Sequence, residues 1–286
     1  MLIFGSLALF IGAIYLLLFN LLHRAGGLYR VIATTSLQAL NPKQQYHPNV
    51  AFKDKIAKEP WAQSDQVLER CLGALRWTMD QVHTTLDHSR LKEPEELLKF
   101  AAKGGGVLCY GMAVLFQYVL SALGIYSRIL ILYSNLFNSS EIHATVEVLL
   151  DGKWVVFDPT FHISFTDTDN NLLSATDIRE NLFTGRFQDN NIKFYGEVAY
   201  PIRVDKYYIN IFLMFNNIFV LEQGNLNLLA MIPPWRYWYG PKLYYQKLAL
   251  ESDQHLRFWQ WLYLIIVLII PISLILLVIL FIIFKV

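Results

Sequence analysis

The sequence predicts an α+β fold: an antiparallel sheet packed on a buried, nucleophile-bearing helix, flanked by two transmembrane helices. Three observations lead there. Apolar residues recur at helical spacing over 64–82 and again over 109–123. Short β-branched and aromatic runs follow at 128–133, 143–150 and 153–158, the last two joined by Asp151-Gly152. Each end of the chain holds a long apolar stretch without charge, 2–22 and 258–284.

Of the 286 residues 55% are hydrophobic, above the roughly 45–50% of globular chains, and the excess sits at those ends. Segments 2–22 and 258–284 contain no Asp, Glu, Lys or Arg, and each exceeds the ~20 residues that cross a hydrocarbon layer as a helix. A secretory signal peptide, the rival for 2–22, would need a basic start and a small-residue cleavage site. Met1-Leu2-Ile3-Phe4 supplies no charge and Phe19-Asn20-Leu21-Leu22 is a poor site. The expectation is an integral membrane protein with two spans, within 1–23 and 257–286, whose uncharged cores are 2–22 and 258–284. His23, Arg24 and Arg30 follow the first span, and Lys242, Lys247 and Arg257 precede the last, against Lys285 beyond it. The positive-inside rule therefore puts the middle domain in the cytoplasm, with a periplasmic or extracellular domain as the alternative.

A net charge of +1 offers no basic field for nucleic acid, so the expected partners are a peptide or protein substrate, the lipid bilayer and other membrane proteins. Two cysteines, Cys71 and Cys109, are too few for a disulfide framework. One Cys71–Cys109 bridge would abolish thiol chemistry; two free thiols, one buried and inert and one reactive, is the reading taken.

Taken in order, 24–63 reads as an irregular connection containing Asn41-Pro42 and His47-Pro48. A helix over 64–82 starts at a Ser64 cap and places Val67, Leu68, Cys71, Leu72, Leu75 and Met79 on one face. A shorter helix over 94–102 has Glu95 and Glu96 in its first turn, with Gly104 after it. Three glycines, 104–106, lead into the helix over 109–123, which Gly124 closes. A P-loop is excluded there because the Lys-Ser/Thr pair is missing. Residues 135–140 read as polar loop and include Asn138-Ser139-Ser140, a glycosylation pattern that matters only in a secretory lumen. Segment 207–221 is apolar but interrupted by Asn210, Asn216 and Asn217, too short and polar for a third span. The aromatic, basic stretch 233–239 suits either a membrane surface or a core.

The chemistry concentrates in 104–160. Cys109 opens a helix, where the dipole favours thiolate, and follows glycines that let a substrate approach. A two-residue Asp151-Gly152 turn pairs Leu150 with Lys153, Leu149 with Trp154, Glu147 with Val156 and Thr145 with Asp158. His143 shares a face with Thr145, so Asp158 becomes its diagonal neighbour, close enough to fix its tautomer. Glu147 and His162 are spare acid–base candidates. No cofactor or metal is called for, and no calcium-loop motif is visible.

The ordered set Gly-x-Leu-Cys, Leu-Gly-Ile-x-Ser-Arg, His-Ala-x-Val-Glu-Val and Trp-Val-Val-Phe-Asp-Pro-Thr resembles the transglutaminase-like core of the papain-like fold, over roughly residues 65–165. That resemblance implies that Cys109 attacks an amide carbonyl, that His143 is base and then acid, and that Asp158 orients it. The catalytic domain would be 64–200 and the membrane-proximal aromatic region 201–256. Thr145 stands where the family often has an aromatic, and Tyr126-Ser127-Arg128 replaces the usual Pro-Ala-Arg, departures that bear on substrate preference. The Cys109 amide is a natural oxyanion donor, and Trp77 or Gln81 are the candidates for a second.

Three functions compete. The first is a membrane-anchored cysteine protease or amidase, or an acyltransferase, working through a Cys109 thioester, with hydrolysis or a specialised transfer favoured over calcium-dependent cross-linking. The second is a non-catalytic scaffold of a membrane or envelope assembly. The third, transport by the spans, is disfavoured because neither contains an ionisable residue. A reporter fused after Pro60 is expected to report the cytoplasmic side; an outward-facing signal would move the domain to the envelope.

Overall fold

The computed structural model describes residues 45–84, 93–135, 138–186, 192–196, 217–220 and 242–245, with single positions 215, 273 and 276. The chain divides into two compact units, Ile32–Asn225 and a second made of Met1–Val31 with Leu226–Val286, whose described residues include the strand Lys242–Tyr245. Among the described residues no helix is long and apolar enough to cross a membrane. The spans expected at 2–22 and 258–284 lie outside the described residues except at Ser273 and Leu276, and the aromatic stretch 233–239 lies outside them altogether.

The first helix among the described residues of the larger unit is α1 (Val50–Ala57), whose Asn49 cap side chain accepts from the Phe52 amide at 2.8 Å. This helix falls in the stretch expected to be an irregular connection. Only Phe52 and Ile56 are apolar and buried in it, and two contacts one turn apart are too sparse a period to stand out. A 3₁₀ turn (Pro60–Gln63) leads to α2 (Val67–Gln81). Ser64, expected as its cap, instead accepts from the Gln66 amide at 3.2 Å and shapes the preceding turn. Then come β1 (His83–Thr84), α3 (Pro94–Ala101), β2 (Gly106–Val107) and α4 (Cys109–Ala122). Helix α4 is buried on nearly every side, with Met112, Phe116, Val119 and Leu120 in the core. Burying each such side chain contributes about 1.5–3 kcal/mol.

Strands β3 (Ser127–Asn135), β4 (Asn138–Leu150), β5 (Lys153–Asp158), β6 (Ile163–Phe165), β7 (Ile192–Phe194) and β8 (Asn217–Val220) follow, with α5 (Ala175–Phe183) between β6 and β7. Within this unit they order as β7-β6-β5-β4-β3-β8, every neighbouring pair antiparallel. The mixture of helices and antiparallel sheet is the fold class expected. Residues 135–140, expected as loop, instead extend the β3–β4 ladder to Asn135 paired with Asn138, past an irregularity after Tyr133. Backbone pairing needs no buried face, so polar residues do not by themselves end a ladder.

The β4–β5 hairpin has the expected register: Leu150 faces Lys153, Leu149 faces Trp154 and Glu147 faces Val156. Asp151 and Gly152 both have positive φ, 47° and 81°, as the type I′ turn requires. Pleating then sorts β4 into two faces. Ala144, Val146 and Val148 belong to the core cluster that contains α2 and α4; Phe116 of α4 meets Phe157 of β5 edge to face at 6.2 Å. His143, Thr145 and Glu147 alternate with them on the opposite face. That face is covered by Phe215, whose ring packs on Phe165 at 5.8 Å, and by the start of α5.

Glu147 is fully committed there. Both Nε and Nη2 of Arg128 donate to its Oε2, at 2.9 and 2.6 Å, and the Ala175 amide donates to Oε1 at 2.8 Å. The guanidinium also lies 3.9 Å above the Trp154 ring. Arg128→Met leaves the Glu147 carboxylate buried without its counter-ion, and chemical unfolding is expected to show a loss of about 3–5 kcal/mol. Removing the exposed Lys153–Asp177 pair (3.3 Å) by Lys153→Met is expected to cost under about 1 kcal/mol.

Candidate active site

Two short strands position the segment that carries Cys109. β1 and β2 pair in parallel, His83 beside Gly106 and Thr84 beside Val107, which brings the end of α2 to the segment entering α4. The glycine run serves this approach in a different way from the open substrate path expected. Gly104, at φ +84°, turns the chain after α3, and at Gly105 a Cβ would sit 2.3 Å from the Phe100 ring. Glycine is needed because the protein's own ring fills the space.

Cys109 is the first residue of α4, and no side chain caps this helix. Its amide is one of those that a helix start leaves without an intrahelical acceptor. His143 lies near the start of the well-buried part of β4. The β4–β5 ladder begins at Val146 with Phe157, so His143 and Ala144 extend beyond it, on a strand open on that side. There the thiol of Cys109 hydrogen-bonds to the imidazole and accepts from the Ala144 amide. The other ring nitrogen, Nε2, lies 2.5 Å from Asp158 Oδ2, which leaves Nδ1 for the thiol. Asp158 is the last residue of β5, and its Oδ1 accepts from the Thr160 and Phe161 amides at 2.9 and 3.3 Å. His143 and Asp158 are both buried.

Charge follows from this arrangement. Burial pushes the Cys109 thiol up, but the hydrogen bond and charge of His143, with the Ala144 amide, outweigh it and leave the thiol below its ordinary value; the Asp158 charge acts weakly against them. For His143, burial favours the neutral ring, yet the charge and hydrogen bond of Asp158, joined by Cys109, raise it to about 10. Both shifts act in the same sense, toward thiolate on Cys109 and imidazolium on His143. Cys71 behaves oppositely: it is a free, buried thiol in α2, pushed up to about 12 by burial.

The other candidates separate clearly. Glu147 is held by Arg128 and the Ala175 amide, so it is a structural tie rather than a spare acid or base. His162 is buried with φ +58°, at the turn from Asp158 into β6. Trp77 packs edge-on against Phe52 at 5.9 Å, beneath Lys55. Gln81 is exposed at the end of α2, two residues before the strand that pairs with Gly106. Sequence reasoning missed Phe161, whose ring packs on that of His143 with centroids 5.5 Å apart and planes tilted by 39°; its spacing three residues after Asp158 carries no recognisable period.

Residues 54–159, about a third of the chain, match the family model described as transglutaminase-like superfamily. No curated protein sequence matches. Among solved structures the chain is similar to a candidate cysteine protease from Cytophaga hutchinsonii, with 20% identity, a TM-score of 0.33, and coverage of 46% of this chain and 45% of that one. It is also similar to Legionella pneumophila LapG in EGTA-treated form (18% identity, TM-score 0.27, 51% of this chain and 77% of that one). For the calcium-bound form of LapG the figures are 16%, 0.27, 63% and 98%. The chain thus spans less than half the length of the Cytophaga protein.

The charge pair sets the pH behaviour. His143 has its folded value raised from 6.5 to about 10, so its contribution to stability is full below about pH 6.5 and is lost as pH rises through about 10. Cys109, with its folded value lowered, contributes above the free-thiol range and loses that contribution as pH falls through its folded value. Alkylation of Cys109, read by mass spectrometry of its peptide, is expected to stay fast well below the free-thiol pKa of about 8.5. It is expected to revert to ordinary thiol titration in His143→Ala.

Proposed function

We propose that this chain is a membrane-anchored cysteine hydrolase or acyltransferase of the transglutaminase-like superfamily, acting on peptide or amide bonds through a thioester on Cys109. The observation that carries the reading is the hydrogen-bonded series from the half-buried Cys109 thiol through the buried His143 to Asp158 Oδ2, with shifts toward thiolate and imidazolium. The uncharged stretches 2–22 and 258–284 support anchoring.

The chemistry follows from these groups. The thiolate attacks the carbonyl carbon, and the electron pair of the C=O bond moves to oxygen, where the Cys109 amide at the helix start donates to the developing charge. The His143 imidazolium, from Nδ1, protonates the departing amine as the C–N bond breaks, leaving the acyl group on sulfur. Neutral His143 then takes a proton from water or an acceptor amine, whose attack releases the acyl product and regenerates the thiolate–imidazolium pair. Asp158 holds the ring throughout. Thr145 and Tyr126 mark where substrate preference departs from the family pattern.

Incubating the purified full chain with a panel of peptide amides and esters, then acid-quenching, is expected to reveal an acyl adduct on the Cys109 peptide. Cys109→Ala is expected to eliminate adduct and turnover, and His143→Ala to lower turnover by roughly 10²–10⁴-fold. Turnover that persists in Cys109→Ala, or restoration of cellular function by that variant, would sink the reading in favour of a scaffold.

A further inference from the structure

Phe161 is unaccounted for by the chemistry so far, yet it is buried against the ring on which that chemistry turns. Its position is set by Asp158. One oxygen of that carboxylate takes the imidazole Nε2 at 2.5 Å. The other accepts from the amides of Thr160 and Phe161, a turn that holds the Phe161 backbone to the same side chain. Next, His162 adopts φ +58°, a conformation that side chains rarely adopt. Its carbonyl accepts from the Tyr195 amide at 2.9 Å, and the following residue, Ile163, pairs back with Asp158. The turn is pinned on both sides, and the ring it carries lies over His143.

We infer that Phe161 is a positioning residue that excludes water from the His143–Asp158 hydrogen bond and so keeps the imidazole turned toward Cys109. This deepens the proposed function and rests on Cys109 acting as a thiolate. The physical reason is dielectric. A charge pair at about 4 Å attracts several times more strongly at an effective dielectric near 20 than in bulk water. An exposed His143–Asp158 contact would lose most of its hold on ring orientation. Removing the cover also relieves the desolvation of the imidazolium, which favours the proton. The opposing loss falls on two attractions at once, Asp158 to His143 and His143 to Cys109, and it dominates. The thiol therefore rises toward its ordinary value when the ring is removed.

The test measures the midpoint of Cys109 alkylation against pH, read on its own peptide in the full chain, for wild type, Phe161→Ala, Phe161→Leu and Phe161→Tyr, each checked for thermal unfolding. Phe161→Ala is expected to shift the midpoint up by about one pH unit or more. Phe161→Leu, which covers less of the ring, moves it the same way by a smaller amount and carries the test if the alanine variant does not fold. Phe161→Tyr keeps the wild-type midpoint. A lowered unfolding temperature with the midpoint unmoved in both Phe161→Ala and Phe161→Leu makes Phe161 a packing residue and overturns the inference while leaving the proposed function standing. If wild-type Cys109 already titrates as an ordinary thiol, the proposed function fails and this inference with it.

Discussion

The arrangement of the site depends on a turn of two residues. Asp151 and Gly152, both at positive φ, twist β5 back onto β4 in one register and no other. Counting down the ladder from that turn brings the end of β5 to the level of the buried start of β4, so the carboxylate of Asp158 meets the ring of His143. A slip of one residue would send Asp158 to the opposite face, among Val146, Val148 and Phe116, where a carboxylate has no partner and a large desolvation cost. Selection of the register is therefore reinforced by the side chains it juxtaposes. The hairpin is local in sequence, while Cys109 arrives from a helix packed on the other face, which makes the hairpin the frame and α4 the part fitted to it.

That frame needs its second face closed. A sheet carrying His143, Thr145, Glu147 and Asp158 on one side would be half polar and exposed were it not covered. Phe215 and Phe165 close one area with an edge-to-face contact, and Glu147 ties the first residue of α5 to β4 while Arg128 neutralises it. Thr145 spends its hydroxyl on the Phe157 carbonyl at 2.8 Å, satisfying a carbonyl near the point where β5 leaves the ladder. Polar side chains on this face are thus used twice, as partners for the backbone and as spacers that keep the imidazole away from bulk water.

Much of this was legible in the sequence because it is local or periodic. The turn residues fixed pairing, the apolar period of 109–123 announced a buried helix, and the order of Cys109, His143 and Asp158 matched a recognisable pattern. What escaped was non-local or sparse. β1 and β2 are two residues each, paired across more than twenty residues, and leave no periodic trace. α1 buries only Phe52 and Ile56. Glu147 resembled a free acid because its counter-ion sits on another strand, and the polar residues after Tyr133 hid a ladder that needs only backbone. The role of Gly105 depended on the Phe100 ring, which no spacing announces.

The contrast between the two thiols has a consequence for oxidation. Cys71 is sealed in the core and pushed up to about 12, too weak an acid to supply thiolate at physiological pH. Cys109 is the opposite: its thiol is lowered by His143 and the Ala144 amide, and thiolate character is what peroxides convert to sulfenic acid. The chain has two cysteines, and the second is chemically silent, so no internal thiol is ready to condense with a sulfenate on Cys109. Its rescue falls to a small thiol or a reductase from the surroundings, and without one it proceeds to the irreversible sulfinic acid. The redox state of the compartment that bathes the domain would thereby act directly on the Cys109 sulfur.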